Sequence, residues 1–433
     1  MKKLSGLKKL KKKENISKYK ANVVIIDDEA GNLAALDSCL SEHFTVHAFI
    51  SAEEALKFFD EEKALTIDLI ITDQRMPGMN GTEFLEILQK RKYSNSRILL
   101  TAFTETDDLV MCINRGLVDR YIIKPWDSDN LINVINEVLE RNFKKATFER
   151  IVPEKIIEKL YPEGFSKPEV GEGIELDSII LFGDIRSFTS ITEEMPPIDS
   201  LRFISSYTDF IAPLITNQKG FIDKYLGDGI LAVFDRKNLF DAIQCAVQII
   251  EKTKEYNRVH RSSEVPGFRE GGKKRVPIEI SLGLHGGTVA LGTVGYQNRI
   301  DFTVIGDVVN TAARIQNLAS ALKADIMMSE VVATGLESFN EKRYLGDFEF
   351  KGKAEAVSVW EIFSTNSKVC KNLKKKNKED FRNALLLQSS AEEEKAKEMI
   401  ERIVTENPED EIAKNLAFYQ NRGKKLNWTF KDK

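Results

Sequence analysis

Between residues 22 and 141, short β-branched runs alternate with stretches whose apolar residues recur every three or four positions. The runs Val23–Asp27, Thr45–Phe49, Leu69–Asp73, Arg97–Thr101 and Arg120–Ile123 predict strands, and intervening stretches such as Asn32–Leu40 and Thr82–Leu88 predict helices. Such alternation implies an α/β domain: a parallel sheet with helices on both faces, binding its ligands at the carboxyl ends of the strands.

The pattern changes after residue 141. Asn142–Leu160 has the spacing of a helix interrupted by Pro153, and Pro162, Gly164, Pro168, Gly171 and Gly173 follow as a linker, so 142–175 reads as a helical linker. A second α/β pattern spans 176–365. Its predicted strands are Ser178–Gly183, Phe221–Tyr225, Ile230–Phe234, Ile278–Leu284 and Thr288–Thr293, with closing strands at Glu349–Gly352 and Ser358–Phe363. Long helical patterns lie at Leu201–Thr216 and Leu239–Tyr256, and Arg261–Lys274 reads as an exposed polar loop. From residue 366 to 433 a lysine-rich linker (Lys368–Lys378) precedes a short helical C-terminal segment with Ala/Leu patterning, broken at Asn407-Pro408-Glu409-Asp410. It resembles a tetratricopeptide-like hairpin, a unit that needs a neighbour to cover its apolar face.

Composition narrows the class. At 433 residues the chain exceeds one ordinary core, and 42% hydrophobic with 30% charged residues excludes wholesale disorder. The absence of a long apolar run predicts no membrane span, and the N-terminus shows no signal peptide. Four dispersed cysteines argue against a disulfide framework or zinc site, so a cytoplasmic location is expected. The net charge of −4 conceals nine lysines and one glutamate within residues 1–20, and residues 1–21 read as a basic disordered tail. The remainder is acidic, so no nucleic acid partner is expected.

Chemistry gathers at the strand ends of the first domain. Asp27 and Asp28 end the first strand, Asp73 the third and Thr101 the fourth, while Lys124-Pro125 follow the fifth. Convergent carboxylates suit a hard divalent cation, and a carboxylate beside a metal, a hydroxyl and an ammonium can accept a phosphoryl group. Residues 22–141 closely resemble the receiver domain of bacterial response regulators. The resemblance implies a flavodoxin-like fold, phosphorylation at Asp73, and Mg²⁺ held by Asp27, Asp28 and Asp73. It also implies phosphoryl sensing by Thr101 and Lys124, Tyr121 as the aromatic switch, and a cognate histidine kinase or phosphotransfer protein as partner. His43 and His47 read as surface or packing residues.

The second domain carries three linked motifs. Phe182-Gly-Asp184-Ile185-Arg-Ser-Phe188-Thr189 sits where a strand turns into a helix, whose first N–H groups can receive phosphate. Lys224-Tyr-Leu-Gly-Asp228-Gly puts a second carboxylate at a tight turn, and two such carboxylates suit a two-metal site. In Thr303-Val-Ile-Gly-Asp307-Val-Val-Asn310-Thr-Ala-Ala-Arg314, Asn310 and Arg314 share a helical face. In this order the motifs resemble the catalytic domain of class III nucleotidyl cyclases, over about 190 residues. The resemblance implies a ferredoxin-like α/β domain working as a homodimer. Asp184, the Ile185 backbone and Asp228 would bind two Mg²⁺ or Mn²⁺ ions, and Lys224 and Thr303 would read the purine. Phe188, Thr189 and Lys351 are further substrate-binding candidates; Asn310 would orient the ribose and Arg314 stabilise the transition state.

Relatives that use GTP typically carry glutamate where Lys224 stands, so lysine favours ATP. Many family members carry aspartate where Thr303 stands; threonine still offers the purine a hydroxyl. Asp307 reads as a helix cap and His285 as a packed histidine. The expected function is a two-component response regulator that converts ATP to 3′,5′-cyclic AMP and pyrophosphate. The alternatives are a guanylate cyclase, or a nucleotide-binding scaffold without turnover. A DNA-binding output lacks a helix-turn-helix signature, and a diguanylate cyclase lacks its GG[DE]EF run.

Overall fold

The computed structural model describes residues 20–60, 67–102, 112–164, 168–193, 195–259, 277–296, 299–350, 352–353, 355–388, 392–420 and 429–430. The chain divides into two compact units, with the boundary between Ile151 and Val152. The expected basic tail up to residue 19 and the polar loop Arg261–Lys274 lie outside the described residues.

The first unit runs β1 (Asn22–Ile26), α1 (Ala30–Leu40), β2 (Thr45–Phe49), α2 (Ala52–Asp60), β3 (Leu69–Asp73), α3 (Gly81–Lys90), β4 (Ser96–Thr101), β5 (Arg120–Ile123) and α4 (Ser128–Ile151). The strands pair in parallel in the order β2-β1-β3-β4-β5, which is the flavodoxin-like arrangement. Alternating side chains of the central strands fill both faces. Val24, Ile26 and Ile70 pack with Phe59, Phe84 and Leu88 on one side. On the other, Val23, Ile25 and Ile71 pack with Leu36, Leu131 and Ile135. Helix α3 starts in a full capping box, where the Asn80 side chain accepts from the Glu83 N–H and Glu83 reciprocates. Helix α4 extends to Ile151, so the first part of the expected linker is this unit's last helix. Proline cannot supply an N–H to continue the ladder, and the chain breaks before Pro153.

The second unit opens with α5 (Glu154–Leu160), β6 (Gly173–Ile185), α6 (Phe188–Thr192), α7 (Pro197–Asn217), β7 (Phe221–Leu226), β8 (Gly229–Asp235) and α8 (Leu239–Val259). It continues with β9 (Ile280–Tyr296), β10 (Arg299–Ile305), α9 (Asp307–Ala321), β11 (Ile326–Ser329), α10 (Glu330–Ala333), β12 (Lys342–Phe350) and β13 (Val357–Ile362). It closes with α11 (Lys368–Lys376), α12 (Lys378–Gln388), α13 (Glu393–Glu406), α14 (Glu411–Gln420) and β14 (Thr429–Phe430). The sheet order is β14-β12-β13-β11-β9-β6-β8-β7, with β10 folded back on β9 as a hairpin. Helices α7 and α8 bury Phe203, Ile211, Ala246 and Ile249 against Ile179, Leu181 and Ala232. On the opposite face Val152, Ile156 and Ala312 meet Ile180, Leu231 and Val289. Expected as two strands, Ile278–Leu284 and Thr288–Thr293 form one long β9, because β6 pairs with it continuously from Gly173 to Ile185. No helix among the described residues is long and apolar enough to cross a membrane.

The C-terminal helices are part of this unit's core. Phe381, Ile400, Ile403, Ile412 and Leu416 pack against Leu318, Leu322, Leu345, Phe348 and Val359. The lysine run expected as a linker is the helix α11, capped by Ser367. One of its lysines explains the difference. Lys374, only 4% exposed, lies 3.2 Å from Glu361 of β13 and 3.5 Å from Asp410. Arg343 of β12, equally buried, makes a two-pronged bond to Asp410 at 2.8 and 3.0 Å, sits 2.7 Å from Glu361 and stacks over the Phe381 ring. Burial by itself raises the Asp410 carboxyl, but Arg343 and Lys374 outweigh it and hold Asp410 well below the usual carboxylate range.

Removing one member leaves its partners charged in a dry interior, a loss of roughly 3–5 kcal/mol. Asp410→Ala is therefore expected to destabilise the second unit by about that much, read as a lower urea midpoint, while an exposed pair such as Arg402–Asp380 changes stability by less than about 1 kcal/mol. Asp410 is depressed, so its contribution is full above the unfolded carboxylate range and is lost only as pH falls well below about 4.

Candidate functional site

In the first unit, parallel register brings the expected residues to one edge. Asp27 and Asp28 follow β1, Asp73 ends β3, Thr101 ends β4 and Lys124 follows β5. Ligand oxygens of Asp27, Asp28 and Asp73 all lie within 4.8 Å of one another. Lys124 Nζ reaches 2.9 Å from Asp27 and 2.7 Å from Asp73. Burial pushes the Asp73 carboxyl up, against the pull of Lys124. The same burial would lower Lys124, yet its bonds to the two carboxylates raise it instead. Three hard oxygen donors with one ammonium among them fit a divalent cation of the Mg²⁺ kind. Thr101 is buried and donates to the Ala102 carbonyl, whereas Tyr121 is 42% exposed.

In the second unit, β6 and the β7–β8 turn build the acidic pair. Asp184 lies at the end of β6, where Gly183 pairs with Ile230, so the turn residue Asp228 falls beside it. Gly227 makes that turn possible at φ +69°, a left-handed conformation that side chains resist. Burial first, and then hydrogen bonding to Asp228, pushes the Asp184 carboxyl up to about 7. Two adjacent carboxylates, one of them held toward its protonated form by burial, offer oxygen donors whose proton a divalent cation would replace, so this donor set also fits a metal. Ile185 is buried beside them, Phe188 stacks on Phe203, and Thr189 is exposed at the start of α6.

Lys224 and Thr303 meet although they stand on different strands, and the Lys224 ammonium donates to the Thr303 hydroxyl. A third residue, Asp223, organises them. Its side chain is fully buried, accepts from the Val304 N–H at 3.1 Å and the Thr303 hydroxyl at 3.3 Å, and lies 3.3 Å from Lys224 Nζ. Sequence reasoning missed Asp223. The available signal was a carboxylate inside a strand, next to a lysine that it could neutralise.

Asn310 and Arg314 lie on α9, which packs closely on β9 because Gly283 has no side chain; a Cβ there would sit 2.3 Å from the Gln316 nitrogen. Asn310 is exposed. Nη1 of Arg314 is buried and makes no hydrogen bond among the described residues, the condition of a guanidinium awaiting an anion. Asp307 is not the cap expected of it: Gly306 holds the cap position, and Asp307, the first helical residue, pairs with Lys353. Lys351 lies outside the described residues. His285 is buried against the Ser329 hydroxyl at 2.7 Å, and burial pushes it down to about 4, so it is neutral at pH 7. A cavity of about 550 Å³ lies elsewhere, against the C-terminal helices, and its Arg186, Asp325, Lys374 and Glu361 already pair within the protein.

Because the proton on Asp184 must leave as a cation enters, metal affinity is expected to weaken with falling pH. In a chain carrying Asp27→Asn, the Mn²⁺ concentration for half-saturation of the second unit should rise about tenfold per pH unit below 7 and level off above it. Titration of free Mn²⁺ by electron paramagnetic resonance reads this directly, and a flat profile from pH 6 to 8 contradicts it.

Comparison with known proteins agrees with this division. Residues 23–136 match the family model described as the response regulator receiver domain, and residues 175–362 match the adenylate and guanylate cyclase catalytic domain. An adenylate cyclase of Anabaena cylindrica is 38% identical over 240 residues, 53% of this chain and 46% of that protein. The terminal-differentiation-specific adenylate cyclase of Dictyostelium discoideum is 32% identical over 225 residues, 50% of this chain and 10% of that protein. The hydrogenase transcriptional regulatory protein HoxA of Cupriavidus necator is 32% identical over 136 residues, 31% of this chain and 28% of that protein. The chain thus spans less than half the length of each of these relatives. It carries a response regulator receiver domain followed by a class III adenylate and guanylate cyclase catalytic domain.

Proposed function

We propose that the chain converts ATP to 3′,5′-cyclic AMP and pyrophosphate, as a homodimer whose rate responds to phosphorylation of Asp73 by a histidine kinase or phosphotransfer protein. The observation that carries the reading is the placement of Asp184 at the end of β6 beside Asp228 of the β7–β8 turn. In the reaction the ribose 3′-oxygen bonds to the α-phosphorus, the bond from that phosphorus to the pyrophosphate oxygen breaks, and the hydroxyl proton leaves. Two divalent ions held at the cyclase carboxylates would acidify the attacking hydroxyl and neutralise phosphate charge, and a Mg²⁺ at the receiver carboxylates would neutralise the incoming phosphoryl group. Asp184, Asp228 and the Ile185 carbonyl would hold the cyclase ions, while the N–H groups at Phe188 and Thr189 and the Lys351 side chain would receive phosphate. Asn310 orients the ribose, and the unpaired Nη1 of Arg314 donates to the phosphorane as its charge develops.

The dimer is what the resemblance to class III cyclases implies. Lys224 and Asp228 are four residues apart on one hairpin, and the base and the metals they engage belong to opposite sites of a head-to-tail pair. Exposed Tyr225, Leu226, Val294 and Ile305 on the β7–β8 and β9–β10 hairpins support an apolar pairing surface. In the receiver, the Asp73 carboxylate attacks the donor phosphorus, the bond from that phosphorus to the phosphohistidine nitrogen breaks and the donor imidazole leaves, Lys124 neutralises the new charge, and Thr101 and Tyr121 report it. Lys224 favours ATP over GTP because an ammonium donates to the unprotonated N1 of adenine, whereas guanine carries a proton there.

Purified protein with Mn²⁺ and ATP is expected to form cyclic AMP, and Arg314→Ala to lower kcat by about 10²–10³. Lys224→Ala and Asp184→Ala chains should each be inactive alone and recover activity when mixed; verified heterodimers with no recovery rule out the shared site. A receiver-phosphorylating small donor such as acetyl phosphate should change the rate of the wild type but not of Asp73→Asn. An equal response in both excludes Asp73 as the input.

A further inference from the structure

Asp223 belongs neither to the acidic pair nor to the groups proposed to touch the base, yet its carboxylate is the most connected atom group around them. It sits at a bulge of β7: the register with β8 shifts between Ile222 and Lys224, so the strand carries one residue more than its partner. The bulge delivers the fully buried Asp223 side chain against β10 and sends Lys224 to the same place. Three donors converge on this carboxylate: the Val304 N–H, the Thr303 hydroxyl and the Lys224 ammonium.

Proton counting sets what this cluster can show to a ligand. The ammonium of Lys224 is a donor only, so the Thr303 oxygen accepts from it. Thr303 has one proton of its own, and the groups that take it are the Asp223 carboxylate and the Val304 carbonyl, each at 3.3 Å. With its proton drawn inward, the hydroxyl has only a lone pair left to offer outward. The outward face is therefore one donor, the ammonium, beside one acceptor, the hydroxyl oxygen. Adenine presents the complement, an acceptor at N1 beside the donating 6-amino group. Guanine presents the reverse, a donating N1–H beside the O6 acceptor.

We propose that Asp223 is a specificity-determining residue: by taking the Thr303 proton and anchoring Lys224, it sets the hydrogen-bond polarity that selects adenine over guanine. The proposal rests on the cyclase reading and deepens it. Asp223 touches no substrate; it acts through its two neighbours, as a positioning residue. The replacement Asp223→Asn tests it sharply, because the Val304 N–H holds the amide oxygen toward itself and turns the new NH₂ toward Thr303. The amide then donates to the Thr303 oxygen, so the hydroxyl proton is shared between the Val304 carbonyl and the base instead of being held by a carboxylate, and Lys224 loses its counter-charge.

The experiment measures kcat/KM for ATP and for GTP with the full-length wild type and with Asp223→Asn. The expected result is a fall of at least about tenfold in the ATP-to-GTP ratio, carried by KM for ATP more than by kcat. A purely structural role would lower both substrates together and leave the ratio unchanged, which overturns the proposal. Should Asp223→Asn not fold, Thr303→Val removes the polarised hydroxyl with Asp223 in place; an unchanged ratio there overturns the proposal equally. If the wild type turns over neither nucleotide, the cyclase reading fails by itself. Equilibrium binding of ATP and GTP to wild type and Asp223→Asn then still decides the inference by the same ratio.

Discussion

Carboxylates at the ends of buried strands govern both units. A carboxylate there is largely removed from water, and burial drives Asp73 and Asp184 toward their protonated forms. The two pockets resolve this cost differently. In the receiver, Lys124 bridges Asp27 and Asp73 and keeps charge in place. In the cyclase domain no lysine reaches Asp184 among the described residues, and burial together with the neighbouring Asp228 pushes its carboxyl up to about 7. A divalent cation would relieve both, because its charge compensates the carboxylates that burial destabilises.

The second unit shows the same physics used for structure. Arg343, Glu361, Lys374 and Asp410 form a charged cluster almost fully out of water, tying β12 and β13 to the C-terminal helices. Four charges of balanced sign, one pair of them two-pronged, can compensate one another in that setting, whereas a single one could not. The helices thereby become an extension of the sheet's core, with Phe381 under the Arg343 guanidinium and Ile400 and Leu416 against Leu322 and Phe348. The strand they brace, β12, ends at Phe350, next to the Lys351-Gly352 segment.

Strand–helix periodicity made most of the fold legible in advance, and the five receiver strands lie within a residue or two of where their β-branched runs put them. Periodicity is local, so it captures local pairing well. It failed where the deciding partner is distant in the chain. The run Lys368–Lys376 is polar enough to pass for a linker until Glu361 and Asp410 are brought beside Lys374. The pair Gly286-Gly287 looks like a strand break until β6 is seen to pair across it. Asp307 has the chemistry of a cap, but the backbone places Gly306 at the cap position and Lys353 beside the carboxylate.

The sequence by itself determined the two α/β domains and the order of their motifs, because residue type and short spacing dictate strand ends, turns and helix faces. Asp27, Asp73, Asp184, Asp228, Asn310 and Arg314 are all readable in that way. Only the tertiary structure decided the state of those groups: which carboxyl burial pushes up, that Nη1 of Arg314 makes no hydrogen bond among the described residues, and which acceptors the Thr303 hydroxyl meets. Asp223 marks the division most clearly. In the sequence it is one more acid beside a lysine. Its role exists because a bulge in β7 and the return of β10 bring it within reach of Thr303 and Val304, some eighty positions away. Protonation and hydrogen-bond direction depend on distances of a few ångströms between groups remote in the chain, and no local pattern encodes those distances.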